Sequence, residues 1–245
     1  MHHFFITPEQ VRSANVYMEG PDVRHMNSVL RMRTGESLTV SDQCGNRYYC
    51  RLERYEENRA VLSVMRTEEE TVELSSRLYL FQGLAKGEKM EWIIQKAVEL
   101  GAYEIIPVET QRSVVRLDEK KAAKKVERWR TIAAGGAKQS DRGMIPGVHD
   151  ILSFEQALEY AGKLDVLLIP YENAKDMGET RRIIAQIKPG QSVGIFIGPE
   201  GGFEETEIAL TNQYRAHTIT LGKRILRTET AGLALLSILM YHLEC

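Results

Sequence analysis

The sequence predicts an α/β chain in two parts: a small N-terminal β-barrel, then a larger domain built on a parallel sheet. Three observations carry this. Up to residue 66 apolar residues alternate with period two between turn residues. Beyond residue 77 short apolar runs alternate with helical patterns. Between them TEEETVELSS (67–76) holds four glutamates, no base and no apolar periodicity. That run reads as an exposed acidic seam and sets the expected domains at 1–70 and 77–245, with a linker at 71–76.

In the first part, Ser37–Ser41, Arg47–Leu52 and Arg59–Val64 alternate as strands do, with turns at Gly45-Asn46 and Glu57-Asn58. One short helix is expected over 22–30. Several short strands at close spacing favour a small barrel. In the second part, Leu78–Phe81 predicts a strand. Residues 88–100 then place Met90, Ile93, Ile94, Ala97 and Val98 on one helical face. Ile105–Val108 and a long helix from Asp118 follow. Val166–Ile169, Val193–Ile197 and Thr218–Leu221 read as buried strands, with helical patterns near Glu179, from Phe203 and from Thr228. Near-continuous apolar strands of this kind belong to parallel sheets covered on both faces.

Composition excludes several classes. With 245 residues, 43% apolar and 27% charged, the chain is neither disordered nor low in complexity. The start at Met1–Phe5 lacks a charged leader, and the longest apolar stretch, Ala231 to Met240, is short of the ~20 residues that span a bilayer. A soluble cytoplasmic protein is expected. Cys44, Cys50 and Cys245 are an odd count without C-x-x-C spacing, so neither a disulfide framework nor a metal site is expected. The net charge of −2 conceals a pattern. All nine bases of residues 1–66 are arginine, against eight acids, and residues 118–142 hold eight bases against four acids.

In open parallel sheets ligands collect beyond the carboxyl ends of the strands, and two such ends here are unusual. Gly198-Pro199-Glu200-Gly201-Gly202 follows Ile197 and precedes a helix. Its glycines permit close backbone approach to a ligand. A phosphate cradle wants bases, yet this loop holds Glu200 and runs into Glu204 and Glu205, and it matches neither G-x-G-x-x-G nor the P-loop. A neutral or cationic ligand suits it, and the sulfonium of S-adenosylmethionine is one. The second end is Leu221-Gly222-Lys223-Arg224-Ile225-Leu226-Arg227-Thr228-Glu229-Thr230-Ala231, in which Thr228 or Thr230 can N-cap the last helix. That helix is apolar on nearly every side, as helices buried in a domain or partly against another subunit are.

These motifs carry a resemblance. The start, His25 with Val29-Leu30-Arg31, Lys86-Gly87-Glu88-Lys89-Met90, and Gln95 to Gly101 resemble the RsmE family, the 16S ribosomal RNA uridine N3-methyltransferases. So do Gln111-Arg112-Ser113, Gln139-Ser140 with Arg142, Gly198 to Gly202, and Leu221 to Ala231. The likeness runs nearly the whole chain in order. It implies a PUA-like N-terminal barrel, a SPOUT α/β domain with a trefoil knot, S-adenosylmethionine as cofactor, and a homodimer. Two positions depart from the family pattern: His3 stands where arginine is usual, and Gly135-Gly136 interrupts a helix where alanine-like residues are common.

The implied cofactor residues are Ile197, Gly198, Glu200, Gly201, Gly202, Leu221, Gly222, Ile225, Leu226, Thr230 and Ala231. Uracil N3 lies on the Watson–Crick edge, so the base must be unpaired or flipped and its N–H must lose a proton. The charge that develops on O2 and O4 calls for a fixed cation, and Arg227 is the first candidate. Glu229 or Glu200 takes the proton, or orders the loop. RNA contact is expected from Arg24, His25, Arg31 and Arg33, with Arg12, Arg47, Tyr48 and Tyr49 nearby in sequence, and from Lys86, Arg112, Gln139 and Arg142. Two other readings stand beside this one: a SPOUT enzyme acting on tRNA ribose 2′-O, and a non-catalytic ribosome-binding protein.

Overall fold

The computed structural model describes residues 1–244, and Cys245 lies outside the described residues. The chain forms two units. The first is Met1–Glu73 together with Ala137–Ile145, and the second is the remainder from Leu74.

The first unit contains β1 (His2–Phe5), β2 (Val11–Arg12), β3 (Asn15–Glu19), α1 (Pro21–Arg24), β4 (Ser37–Ser41), β5 (Asn46–Tyr55) and β6 (Arg59–Glu69). Helix α1 runs on into a π-helical turn, His25–Val29. The sheet order is β1-β4-β5-β6-β3-β2, with β1 parallel to β4 and the other pairs antiparallel. Alternation turns Val16, Met18, Leu38, Val40, Leu52 and Leu62 into a core shared with Phe4 and Met26. The three expected strands appear as β4, β5 and β6.

The acidic seam differs from expectation. Thr67–Glu69 pair with Tyr48, Arg47 and Asn46 as the end of β6. The Glu70 side chain is 6% exposed and accepts from Arg47 Nε at 2.9 Å. Arg47 also donates from Nη1 to Asp141 Oδ2 at 2.7 Å, and Asp141 Oδ1 stands 3.2 Å from His3 Nδ1. Glu70 and Glu73 of this run are therefore counter-ions of the buried Arg47 and Arg142, because a buried guanidinium needs carboxylates around it, while Glu68 and Glu69 stay exposed. Burial lowers the His3 pKa, and Arg47 lowers it further against the opposing pull of Asp141 and Glu70.

The second unit contains β7 (Arg77–Gly83), α2 (Lys89–Glu99), β8 (Ala102–Glu109), α3 (Glu119–Gln139, whose last residues belong to the first unit), β9 (Gly147–Val148) and β10 (Leu152–Ser153). It continues through α4 (Phe154–Ala161), β11 (Val166–Pro170), α5 (Met177–Gln186), β12 (Ser192–Ile197), α6 (Glu205–Thr211), β13 (His217–Ile219) and α7 (Thr228–Leu243). Every strand pair in its sheet is parallel, in the order β10-β8-β7-β12-β11-β13, with β9 on β8. Phe81 of β7 stacks on Phe196 of β12 at 4.3 Å, and Phe154 of α4 meets Phe196 edge-on. The glycine pair does not end α3. A Cβ on Gly136 would stand 3.3 Å from Val98 Cγ1, a tight contact that the missing side chain spares where α3 lies against α2. Strand β13 ends at Ile219, two residues before the sequence suggested, which releases Thr220 to Gly222 into a loop. No helix among the described residues is long and apolar enough to cross a membrane.

Candidate active site

Strands β12, β11 and β13 lie side by side, and the segments beyond their carboxyl ends build a cavity. The cavity measures about 560 Å³, within the range that small ligands occupy. One wall is the loop after β12. Its turn is closed by Gly202 N–H donating to Pro199 O at 2.9 Å, and Gly202 holds φ +70°. A Cβ on Gly198 would stand 3.0 Å from the Gly202 backbone, so glycine there lets the loop fold on itself this tightly. The opposite wall is the loop from Leu221 to Arg227, in which Gly222 holds φ +116°. The loop after β11, Pro170-Tyr171-Glu172, lines a third side.

The two walls are tied together in charged and neutral ways. Lys89, in the first turn of α2, puts Nζ 3.1 Å from Glu200 Oε1 and 3.3 Å from Glu229 Oε2. Glu200 Oε1 also accepts from Lys86 N–H at 3.2 Å. Burial pushes the Glu200 carboxyl up, but these backbone bonds and Lys89 outweigh it and hold it below the usual range. The Glu200 bond raises the Lys89 ammonium, so the pair stays ionised. Below the loop Arg112 grips Glu204 with two bonds, Nε–Oε1 at 2.8 Å and Nη2–Oε2 at 3.0 Å, and donates to Gly201 O from Nη1 at 3.0 Å. Buried Glu207 accepts from Gln111 N–H and Glu204 N–H, both at 2.9 Å.

Thr228 does not cap α7. Arg227 is the N-cap residue, without a side-chain bond, and the Thr228 hydroxyl instead donates to Gly198 O at 2.6 Å. Arg227 itself lines the cavity, is exposed, and has no carboxylate partner among the described residues. A free guanidinium, two carboxylates and one bridging ammonium thus face a glycine-walled cavity.

Comparison with known proteins agrees with this geometry. Residues 72–240 match the family model of the RNA methyltransferase domain. The chain is 39% identical to ribosomal RNA small subunit methyltransferase E of Bacillus subtilis, with 100% of this chain and 98% of the relative covered. The chain belongs to the ribosomal RNA small subunit methyltransferase E family. A structure of the Neisseria gonorrhoeae member bound to S-adenosyl methionine superposes with a TM-score of 0.82 at 30% identity, covering 98% of this chain and 97% of that one. A methyltransferase from Legionella pneumophila in complex with the same cofactor superposes with a TM-score of 0.84 at 31% identity, covering 98% and 96%.

Of the residues expected at the cofactor in this family member, Ile197, Gly198, Glu200, Gly201, Gly202, Leu221, Gly222, Ile225, Leu226 and Ala231 line the cavity, as do Arg227 and Glu229. Thr230 does not. A helix turns about 100° per residue, and Thr230 falls on the exposed side of the first turn of α7. Lys89, Tyr171, Glu172 and Thr220 line it as well. The strand-end rule applied to β11 would have marked Tyr171 and Glu172.

The residues expected at RNA separate into two groups. Arg24, His25, Arg31 and Arg33 are exposed on the segment from α1 to the start of β4, as are Lys86 and Gln139. Arg31 sits there at φ +53°. Arg142 is different: it is 4% exposed and grips Glu73 through Nε at 3.2 Å and through Nη2. Arg47 is 9% exposed within the network described above. Arg112 is committed to the glycine loop. These three arginines meet carboxylates of their own unit, Arg47 and Arg142 in the interior and Arg112 at the surface.

Proposed function

We propose that the protein transfers the methyl group of S-adenosylmethionine to N3 of a uridine in 16S ribosomal RNA, giving 3-methyluridine. The observation that carries the reading is the cavity built from the Gly198–Gly202 and Leu221–Ala231 loops, on a chain 39% identical over its full length to a ribosomal RNA small subunit methyltransferase. The cavity fits the cofactor in size and chemistry. Gly198, Gly202 and Gly222 allow backbone approach, and Glu200 and Glu229 are carboxylates suited to a sulfonium rather than a phosphate. When bound, S-adenosylmethionine supplies an electrophilic methyl group.

The chain's own residues do the rest. Arg227, unpaired and in the cavity, donates to the uracil oxygens that gain negative charge. Glu200 is held by Lys86 N–H and Lys89, which keep its carboxyl below the usual range, and it orders the loop. Glu229, whose buried Oε2 meets only Lys89 Nζ, at 3.3 Å and outside good hydrogen-bond geometry, takes the N3 proton. The first unit, read as a PUA-like barrel, holds RNA with the exposed Arg24, His25, Arg31 and Arg33. The second, read as a SPOUT domain with a trefoil knot, performs the transfer and pairs with a second copy. Exposed Trp92, Ile238 and Tyr241 on α2 and α7 support that pairing. The enzyme works in the cytoplasm, where ribosomal RNA is. Mass mapping of ribosomal RNA from a strain lacking the protein should show the small-subunit 3-methyluridine lost; its persistence would refute the assignment.

A further inference from the structure

Gln82 is the only polar side chain in β7 apart from the tyrosine and the leading arginine, and it is fully buried at the strand's carboxyl end. Its Nε2 donates to Thr228 Oγ1 at 2.9 Å and to Gly83 O at 3.1 Å. Thr228 Oγ1 in turn donates to Gly198 O at 2.6 Å. The direction of this chain is fixed by chemistry. Gly83 O and Gly198 O only accept, so the amide must present its nitrogen and the hydroxyl must spend its one proton on Gly198. A reversed amide would set Oε1 against Gly83 O. The amide oxygen Oε1 of Gln82, as oriented, has no hydrogen-bond partner among the described residues. A buried polar atom left unpaired is costly, and leucine fills nearly the same space without that cost. Packing alone therefore does not account for glutamine at this position.

We propose that Gln82 is a positioning residue for methyl transfer. Through Thr228 it fixes the distance between the glycine loop, at Gly198, and the start of α7, which carries Arg227 and Glu229. It touches neither cofactor nor base, and it acts by holding two walls of the cavity in register. The inference rests on the reading of that cavity as the S-adenosylmethionine site. The Lys89 bridge joins the same two walls with charge, at an exposed edge, whereas Gln82 and Thr228 join them at the buried floor.

Steady-state kinetics on 16S ribosomal RNA and calorimetric titration with S-adenosylmethionine, on the full chain, test this with four variants. Gln82→Leu should keep or raise the melting temperature, yet lower kcat/KM by about ten- to a hundredfold, the scale on which ångström-level misplacement acts. Thr228→Val should reproduce that loss, and Thr228→Ser, which keeps the hydroxyl, should retain most of the activity. Gln82→Leu/Thr228→Val should be no worse than the poorer single variant, since both break one chain. Wild-type kinetics in Gln82→Leu, or losses that multiply in the double variant, would overturn the proposal. Should Gln82→Leu not fold, a Thr228→Val protein with wild-type affinity and turnover overturns it equally. Wild-type protein that neither binds S-adenosylmethionine nor methylates RNA would instead refute the underlying assignment of the site.

Discussion

Gly83 offers a perturbation whose size can be worked from the coordinates. It ends β7 directly against the glycine loop. A Cβ there would stand 2.6 Å from Pro199 N, 2.7 Å from Pro199 Cδ and 3.0 Å from the Gly198 carbonyl carbon. Ordinary carbon contacts begin near 3.5 Å, so the loop must retreat by about 1 Å. Two of the three atoms are backbone, and no side-chain rotation relieves them. Gly83→Ala should therefore cost about 1–3 kcal/mol in stability, as overpacking does. It should also weaken S-adenosylmethionine binding by about ten- to a hundredfold, because the displaced segment is the cavity wall. Calorimetric titration, paired with thermal melts, measures both. Gly136→Ala is the control: its Cβ would meet Val98 Cγ1 at 3.3 Å, away from the cavity, and should affect stability only slightly and binding not at all. Wild-type affinity in Gly83→Ala would refute the claim that the packing of Pro199 on Gly83 shapes the site.

Other outcomes follow from the same geometry. Arg227→Ala should lower turnover far more than S-adenosylmethionine affinity; equal losses in a kinetic and calorimetric comparison would give Arg227 a cofactor role. RNA affinity should fall with rising salt, and replacing Arg24, Arg31 and Arg33 by alanine should flatten that slope, whereas Arg142→Ala should lower the melting temperature by stranding Glu73. His3 has its pKa lowered from 6.5 in the folded state, so the unfolded chain binds its proton more readily. The stability it contributes is complete above pH 6.5 and is lost as the pH falls toward the folded pKa. His3→Gln should remove that part of the pH dependence in thermal melts. Glu204 is held below its usual 4.5 by the Arg112 bonds, so the glycine-loop clamp should persist above that pH and release as the pH falls further. Arg112→Ala should abolish this acid-induced change in cofactor affinity.

Much of this was legible in the chain because it is encoded locally. Strands β4, β11 and β12 show in alternation or continuous apolar runs, and α2 in its buried face of Met90, Ile93, Ile94, Ala97 and Val98. The cavity residues were legible because two motifs sit at strand ends, where parallel sheets gather ligands. What failed to show depends on partners distant in sequence. β1 is four residues that pair with β4 some 36 positions away, and nothing within His2–Phe5 announces that. The arginines are the sharper case. A charge pattern records sign but not partner, so Arg47 and Arg142 look as available as Arg24 until residues 137–145 fold back among Glu70, Glu73 and His3. The sequence offers Thr228 or Thr230 as the cap of the last helix, but Arg227 takes that position and the Thr228 hydroxyl turns to Gly198 O, brought near by the end of β12.

On the proposed function, the glycine-walled cavity delivers a methyl group to uracil N3. The most direct test is incubation of the purified protein with methyl-labelled S-adenosylmethionine and small ribosomal subunits lacking the modification, followed by nucleoside mass spectrometry. Label should appear in 3-methyluridine of 16S ribosomal RNA, and about a hundredfold less of it with Arg227→Ala. Label on a ribose 2′-oxygen, or none in any nucleoside, would contradict that function.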